Sequence, residues 1–225
     1  MTPLNEDVNT INDCMIGGIC GIDGVEVVEY LSADSVMDDG GNSLYPVEFL
    51  NGLNMSGVPP HKLRLHVGCP IILMRNMSGG LANGTRLIVT RLMRNVIEAR
   101  VATGPAKDKI VLIPRLNITP SDETLPFVLC RRQFPVKPAY AMTINKAQGQ
   151  TLKAAGVYLP KPVFGHGQLY VAFSRVGIWD ALKVLVVGGY RAATETLAAG
   201  VYTSNVVFKE VFQGYRPPNP PPPQV

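Results

Sequence analysis

The chain has 225 residues, 46% hydrophobic and 17% charged, a balance that suits one globular domain or two small ones and excludes an extensively disordered polypeptide. Its net charge of +4 is unevenly placed: residues 1–60 carry ten Asp or Glu and no Lys or Arg, while residues 61–225 carry all 21 Lys and Arg against seven acids. Cys14, Cys20, Cys69 and Cys130 form no C-x-x-C pair, no apolar run reaches the ~20 residues of a membrane span, and MTPLNEDVNT lacks the regions of a signal peptide, so a soluble intracellular chain without a zinc cluster or disulfide framework is expected.

In chain order, Asp7 to Cys14 reads as a short helix with Val8, Ile11 and Asn12 on one side, followed by a Gly-rich connection and an apolar strand from Val25 to Leu31. Asp34 to Gly41 reads as a surface loop. Its Asp38-Asp39-Gly40-Gly41 is a solvated turn rather than a metal or acid–base pair, because two glycines follow and no motif surrounds it. Pro46 to Leu53 suggests another short helix, and Pro59-Pro60 a boundary.

After Lys62 the texture changes to short β-runs: Leu63 to Leu73, Thr85 to Leu92, Val96 to Ala102, Lys109 to Ile113 and Phe127 to Gln133. Turn signals such as Ser78-Gly79-Gly80, Asn83-Gly84 and Arg94-Asn95 separate them, a spacing that suggests a small barrel or sandwich. His61 and His66, five apart across a strand start, make a poor zinc site even with Cys69 nearby.

The richest stretch is Leu125 to Val187. Pro138 to Met142 reads as a buried strand, Thr143 as a helix cap, Ile144 to Gln148 as one or two helical turns and Gly149 as the left-handed residue closing them. A helix start delivered by a strand offers backbone N–H groups to an anion, with Asn145, Lys146 and Gln148 around it. Taken alone, T-x-x-K-x-Q-G reads first as an ordinary capped turn. A second helix follows the Gly165-His166-Gly167 loop, with Leu169, Ala172, Phe173 and Val176 on its core face and Gln168 and Arg175 on the other. Arg175 precedes Gly177 and a strand from Leu182 to Val187; it either complements the helix dipole or presents its guanidinium to phosphate. Strand and helix alternate here as in a parallel α/β sheet. Arg216 to Val225 is a polyproline-like tail, read as an unpacked end, with a PxxP ligand for an SH3 or WW partner as the weaker reading.

The two units together resemble the fifth and sixth motifs of superfamily-one B DNA helicases of the petite integration frequency (PIF) type, including those of Helitron transposons. AYAMTINKAQGQTL is similar to the fifth and GQLYVAFSRV to the sixth. VGCPIILMRNMSGGLANGTRLIV, RRQFPV and the opening TPLNEDVNTIN, which resembles the fourth motif, extend the likeness over nearly all of the chain except its last dozen or so residues.

The resemblance implies an α/β fold in which a RecA-like parallel-sheet domain, the second motor domain or 2A, is interrupted by a small SH3-like β-barrel, 2B. Its expected boundaries are 1–61 for the first part of 2A, 62–134 for 2B, 135–212 for the second part of 2A and 213–225 for the disordered tail. It also implies an ATP-dependent 5′-to-3′ helicase acting on single-stranded DNA in repair, recombination or telomere maintenance, with a nuclear location or, as the alternative, a mitochondrial one. Arg175 corresponds to the arginine finger. Gln148, Gly149 and Gln168 correspond to nucleotide-side residues, and Thr143, Asn145 and Lys146 to contacts with the DNA backbone. Arg75, Asn76 and His166 are further candidate DNA contacts, as are Arg131 and Arg132. The family commonly has His where Asn145 stands. The sequence contains neither a G-x-x-x-x-G-K-[ST] loop nor the magnesium-holding Asp that follows it in P-loop enzymes. ATP, Mg2+ and most phosphate contacts are therefore expected on a first RecA-like domain, the principal protein partner, and this chain alone is expected not to hydrolyse ATP. The competing expectation is a non-enzymatic nucleic-acid-binding fragment or transposon remnant.

Overall fold

The computed structural model describes residues 1–19, 24–37, 45–120, 125–188 and 201–208; the segment Asp38–Gly41 and the proline-rich tail lie outside them. It is a mixed α/β structure that divides into two compact units, Val8–Ala141 and Met1–Asp7 with Met142–Val225.

The unit Val8–Ala141 is mainly antiparallel. Helix α1 (Asn5–Ile19) enters it with Val8, Asn12 and Ile16 buried, one residue per turn on one face. The expected helix over 7–14 is thus longer: burial of Ile16 favours continuing into Gly17-Gly18, each of which costs about 1 kcal/mol relative to Ala in a helix. Asn12 is satisfied in its buried position, its amide donating to the Pro138 carbonyl at 3.1 Å and its Oδ1 accepting the Ala141 N–H at 2.9 Å.

Strands β1 (Val27–Leu31) and β2 (Ala33–Val36) lead to helix α2 (Val47–Gly52), then β3 (Lys62–His66), β4 (Pro70–Leu73), β5 (Arg86–Leu92), β6 (Val96–Val101), β7 (Ile110–Pro114), β8 (Leu116–Ile118), β9 (Leu129–Gln133) and β10 (Val136–Pro138). The expected strand over 63–73 is two strands, because Gly68 turns the chain at φ +87°, a conformation open to glycine at little steric cost. The largest sheet has the order β10-β4-β5-β6-β7, every described pairing antiparallel. Among the described residues no ladder joins β10 to β7 to close it. A second sheet has the order β2-β9-β8, and β1 pairs with β3. Alternate residues of the long strands, Leu87 and Val89, Ile97, Ala99 and Val101, point into one core with Leu63, Leu65, Ile71, Phe134 and Val136, as the period-two pleat requires.

Two expectations in this unit are overturned. Asp34 is not in a surface loop but in β2, with a fully buried side chain. Arg131 is not available to DNA: it is fully buried on β9, its guanidinium forked onto Asp34 (Nη2 to Oδ2, 2.7 Å; Nε to Oδ1, 3.0 Å) and donating to the carbonyls of Leu50, Leu53 and Pro59. Removing one partner from such a buried pair strands the other charge. Arg132, one residue on, faces outward as the alternation demands.

In the other unit, β11 (Ala155–Leu159) and β12 (Leu182–Val186) form a parallel pair from Ala155↔Leu182 to Leu159↔Val186. The first residues run alongside: the Tyr158 N–H donates to the Met1 carbonyl at 2.8 Å, and Thr2 bridges Thr143 in parallel. Helix α3 (Gln168–Phe173) covers Ile144, Val157, Leu159 and Val163 through Ala172, with Leu169 and Phe173 packed against them.

Candidate functional site

The segment after β10 departs from the expected strand and helix. Regular pairing stops at Pro138, and Thr143 forms a single bridge to Thr2. The helical turns contract to one 3-10 turn, Asn145–Ala147. Ile144, not Thr143, is its N-cap; the Lys146 N–H donates to the Thr143 carbonyl at 3.1 Å, with the Thr143 hydroxyl a longer second acceptor at 3.4 Å, and Gly149 follows the turn in the left-handed region at φ +75°. However, the N–H groups of Lys146, Ala147 and Gln148 donate to the carbonyls of Thr143, Ile144 and Asn145. The open anion cradle expected at this point is therefore replaced by a self-satisfied turn. What it presents outward are the side chains of Asn145, Lys146 and Gln148, all exposed around buried Ile144 and Ala147.

Helix α3 begins at Gly167, left-handed at φ +72°, and has six residues. Its first residue, Gln168, does not share an outer face with Arg175 as expected. It is 4% exposed, and its Oε1 accepts the N–H groups of Phe164 and Gly165 at 3.2 and 3.4 Å. Its Nε2 donates to Asn145 Oδ1 at 3.3 Å, joining the loop, α3 and the 3-10 turn. His166, exposed in that loop, accepts the Phe208 N–H at Nδ1, 3.0 Å away, and stacks on the Phe208 ring at 5.1 Å.

Arg175, just beyond α3, is half-buried. Its Nε donates to the Val171 carbonyl at 2.8 Å, Nη1 to the Gln150 carbonyl at 3.2 Å and Nη2 to Ser174 Oγ at 2.7 Å. A guanidinium has five N–H groups, so this anchorage leaves capacity for an incoming anion. Gln150 in turn donates its side-chain amide to the Lys146 carbonyl at 2.9 Å. The two segments singled out in the sequence are thus tied together twice, through Gln168–Asn145 at one end of α3 and through Arg175–Gln150 at the other. Gln150 lies within the stretch similar to the fifth motif, but the resemblance assigns it no role; only its spacing of four from Lys146, which permits a side-chain return to the backbone, hints at it.

Arg75 and Asn76 belong to the other unit, just after β4. Arg75 is exposed and donates to the Thr119 carbonyl, while Asn76 accepts the Asn83 N–H at 2.8 Å and so closes the loop between β4 and β5. Arg115 and the Arg131–Asp34 pair were not foreseen as structural: Arg115 lies over the rings of Tyr30 and Phe134 and donates to the Leu31 carbonyl at 2.7 Å. Burial pushes the Cys69 thiol above its ordinary range, with Tyr140 and His66 acting in the opposite direction. Among the described residues, no three His, Cys, Asp or Glu side chains assemble into a metal-holding group. The residues present thus suit the periphery of a phosphate group, through Arg175, and not its principal cradle.

Residues 48–92 match the 2B domain family of DNA helicase Pif1. The chain is 34% identical over 128 residues to the human ATP-dependent DNA helicase PIF1, covering 55% of this chain and 19% of that protein. It is 28% identical over 185 residues to the Danio rerio protein of the same name, covering 80% of this chain and 26% of that one. Among solved structures, a study of DNA unwinding at forked duplexes by two coordinating Pif1 helicases aligns at 26% identity and a TM-score of 0.61, covering 82% of this chain and 38% of that one. Bacteroides Pif1 bound to single-stranded DNA aligns at 25% identity and the same TM-score, over 82% of this chain and 39% of that one. The chain therefore spans about a fifth to a quarter of the length of these curated relatives.

Proposed function

From a chain whose sequence and fold are similar to the C-terminal half of PIF1-type helicases, we propose that it forms the second half of an ATP-dependent DNA helicase motor. It comprises a RecA-like domain 2A and an SH3-like domain 2B; the boundaries read from the sequence, 1–61 and 135–212 for 2A and 62–134 for 2B, cut across the unit Val8–Ala141, where β1 pairs with β3, β2 with β9 and β10 with β4. The observation that carries the reading is the double tie between the Asn145–Gln150 turn and helix α3. It places exposed Asn145 and Lys146 and anchored Arg175 in one construction, as a motor needs if it is to join a strand grip to a phosphate contact.

In this reading exposed Asn145 and Lys146 face the single-strand backbone, with His166, Arg75 and Asn76 as further contacts, while Thr143, 8% exposed and bridged to Thr2, acts on the strand only by holding the turn that carries them. Lys146 supplies charge, and the resulting affinity is sequence-independent and falls steeply with salt. Gln148 and Gly149 line the nucleotide, and Gln168 acts there by holding the Gly165–Gly167 loop. Arg175 contacts the γ-phosphate and stabilises the charge that develops as its bond breaks. ATP, when bound, supplies the phosphoryl group; Mg2+ and the principal phosphate contacts come from a first RecA-like domain. Translocation from 5′ to 3′ and roles in repair, recombination or telomere maintenance in the nucleus or mitochondrion follow from the likeness alone.

The test is ATP hydrolysis with and without single-stranded DNA, on this chain alone and on the chain joined to a first RecA-like domain of a PIF1-type helicase. Hydrolysis only by the joined protein, dependent on DNA and reduced roughly 10³-fold or more by Arg175→Ala, is the expected result. A folded joined protein that stays inactive while binding strands in a salt-dependent way would favour the binding-fragment reading. Robust hydrolysis by this chain alone would overturn the assignment of the phosphate cradle to another domain.

A further inference from the structure

Gln150, near the end of the first helicase-like segment, links it to the second. Its side-chain amide donates to the Lys146 carbonyl at 2.9 Å, its own N–H donates to the Ala147 carbonyl at 3.1 Å, and its carbonyl accepts Arg175 Nη1 at 3.2 Å. Two residues on, the Leu152 N–H donates to the Arg175 carbonyl at 2.8 Å, and Leu152 bridges Val176 in parallel. The 3-10 turn is too short to hold its own carbonyls in a regular ladder. The Lys146 carbonyl is therefore held by the side chain of the same residue whose main-chain carbonyl holds Arg175.

Resting on the motor reading above, we propose that Gln150 is a positioning residue that transmits the state of the DNA-facing turn to the Arg175 guanidinium. A strand gripping Lys146 displaces the turn backbone, the Gln150 amide carries that displacement to its own carbonyl, and Arg175 is reset relative to the phosphate. The link at the opposite end of α3, Gln168 to Asn145, holds the helix start against the same turn, so a shift is expressed at Arg175 rather than lost as rotation of the helix.

The test uses Gln150→Met, which keeps length and bulk but has no donor, beside Gln150→Ala. Both are placed in the joined protein described above, with DNA-stimulated hydrolysis and single-strand affinity measured together. The parent separates the two claims: if it is not stimulated by DNA the motor reading fails, whatever Gln150 does. With a stimulated parent, both variants are expected to lose roughly tenfold to a hundredfold in DNA-stimulated kcat, the scale of a small misplacement of a catalytic group, while binding single strands as the parent does. In this chain alone, the Arg175 Nε–H and guanidinium nitrogen resonances are expected to shift in Gln150→Met. Full stimulation in Gln150→Met would overturn the proposal, since packing without a donor would then suffice. Loss of strand binding along with stimulation in both variants would overturn it too, by assigning Gln150 to the grip or to the fold.

Discussion

The two units solve the problem of buried polarity in opposite ways. In Val8–Ala141 the buried polar groups serve the fold: Arg131 and Asp34 neutralise each other inside a shell of backbone carbonyls, and Gln133 holds the Tyr30 and His61 carbonyls. In Met1–Asp7 with Met142–Val225 the core is smaller, and the corresponding bonds, from Gln168, Gln150 and Arg175, run to segments whose outer side chains are exposed. The same chemistry, an amide or guanidinium satisfied by carbonyls, therefore ties buried groups together in one unit and positions exposed side chains in the other. Exposed Ile178, Trp179 and Leu185 mark the second unit further, at 69%, 77% and 60% exposure.

This contrast is open to measurement, because Trp179 is the single tryptophan of the chain and lies in the smaller-core unit. Its fluorescence reports on that unit, whereas far-UV circular dichroism reports mostly on the β-rich one. Arg131→Met, which strands the Asp34 carboxylate, is expected to cost about 3–5 kcal/mol in denaturant unfolding followed by circular dichroism. The Trp179 transition is expected to move less; equal shifts of both probes would show one cooperative body and break the comparison. Adding Asp34→Leu is expected to restore part of the loss and not all, since three carbonyls lose their donor.

Next in size is Leu159→Ala, expected to cost about 2–4 kcal/mol. It is expected to displace the Trp179 transition more than the circular dichroism one, the mirror image of Arg131→Met. Gln168→Leu, which leaves the Phe164 and Gly165 N–H groups without their acceptor, is expected to cost about 1–3 kcal/mol. Faster hydrogen exchange at those two amides checks it. Thiol labelling of the native chain is expected to modify exposed Cys14 and to spare Cys69, which is fully buried and whose raised pKa means less thiolate at any given pH. Rapid labelling of Cys69 would show that the larger core opens readily. Smallest of all, Trp179→Ser, at an exposed site, is expected to stay within about 0.5 kcal/mol of the parent when unfolding is followed by circular dichroism.

Patterning and motif wording were legible in the sequence because they are local. The period-two alternation of β5, β6 and β7 and the left-handed Gly149 depend on neighbours a few residues away, and so could be read directly. So could the family likeness, whose motifs carry their information in residue order. What the sequence could not show was the destination of long polar side chains. Arg131 and Arg132 are adjacent and chemically identical, yet one is fully buried and the other exposed. The pleat decides that one of them points inward, and only the approach of β2 with Asp34, 97 residues away in sequence, makes a buried guanidinium tolerable. Likewise Gln168 and Arg175 were assigned to one face by helical spacing. The six-residue length of α3 and the nearness of Asn145 and Gln150 turned the first inward and tethered the second. The sequence by itself determined the alternation of the long strands, the turns between them and where charge falls, since those are short-range preferences. The tertiary structure decided which donors meet which acceptors, because satisfaction of buried polar groups is set by segments that meet only once the chain has folded.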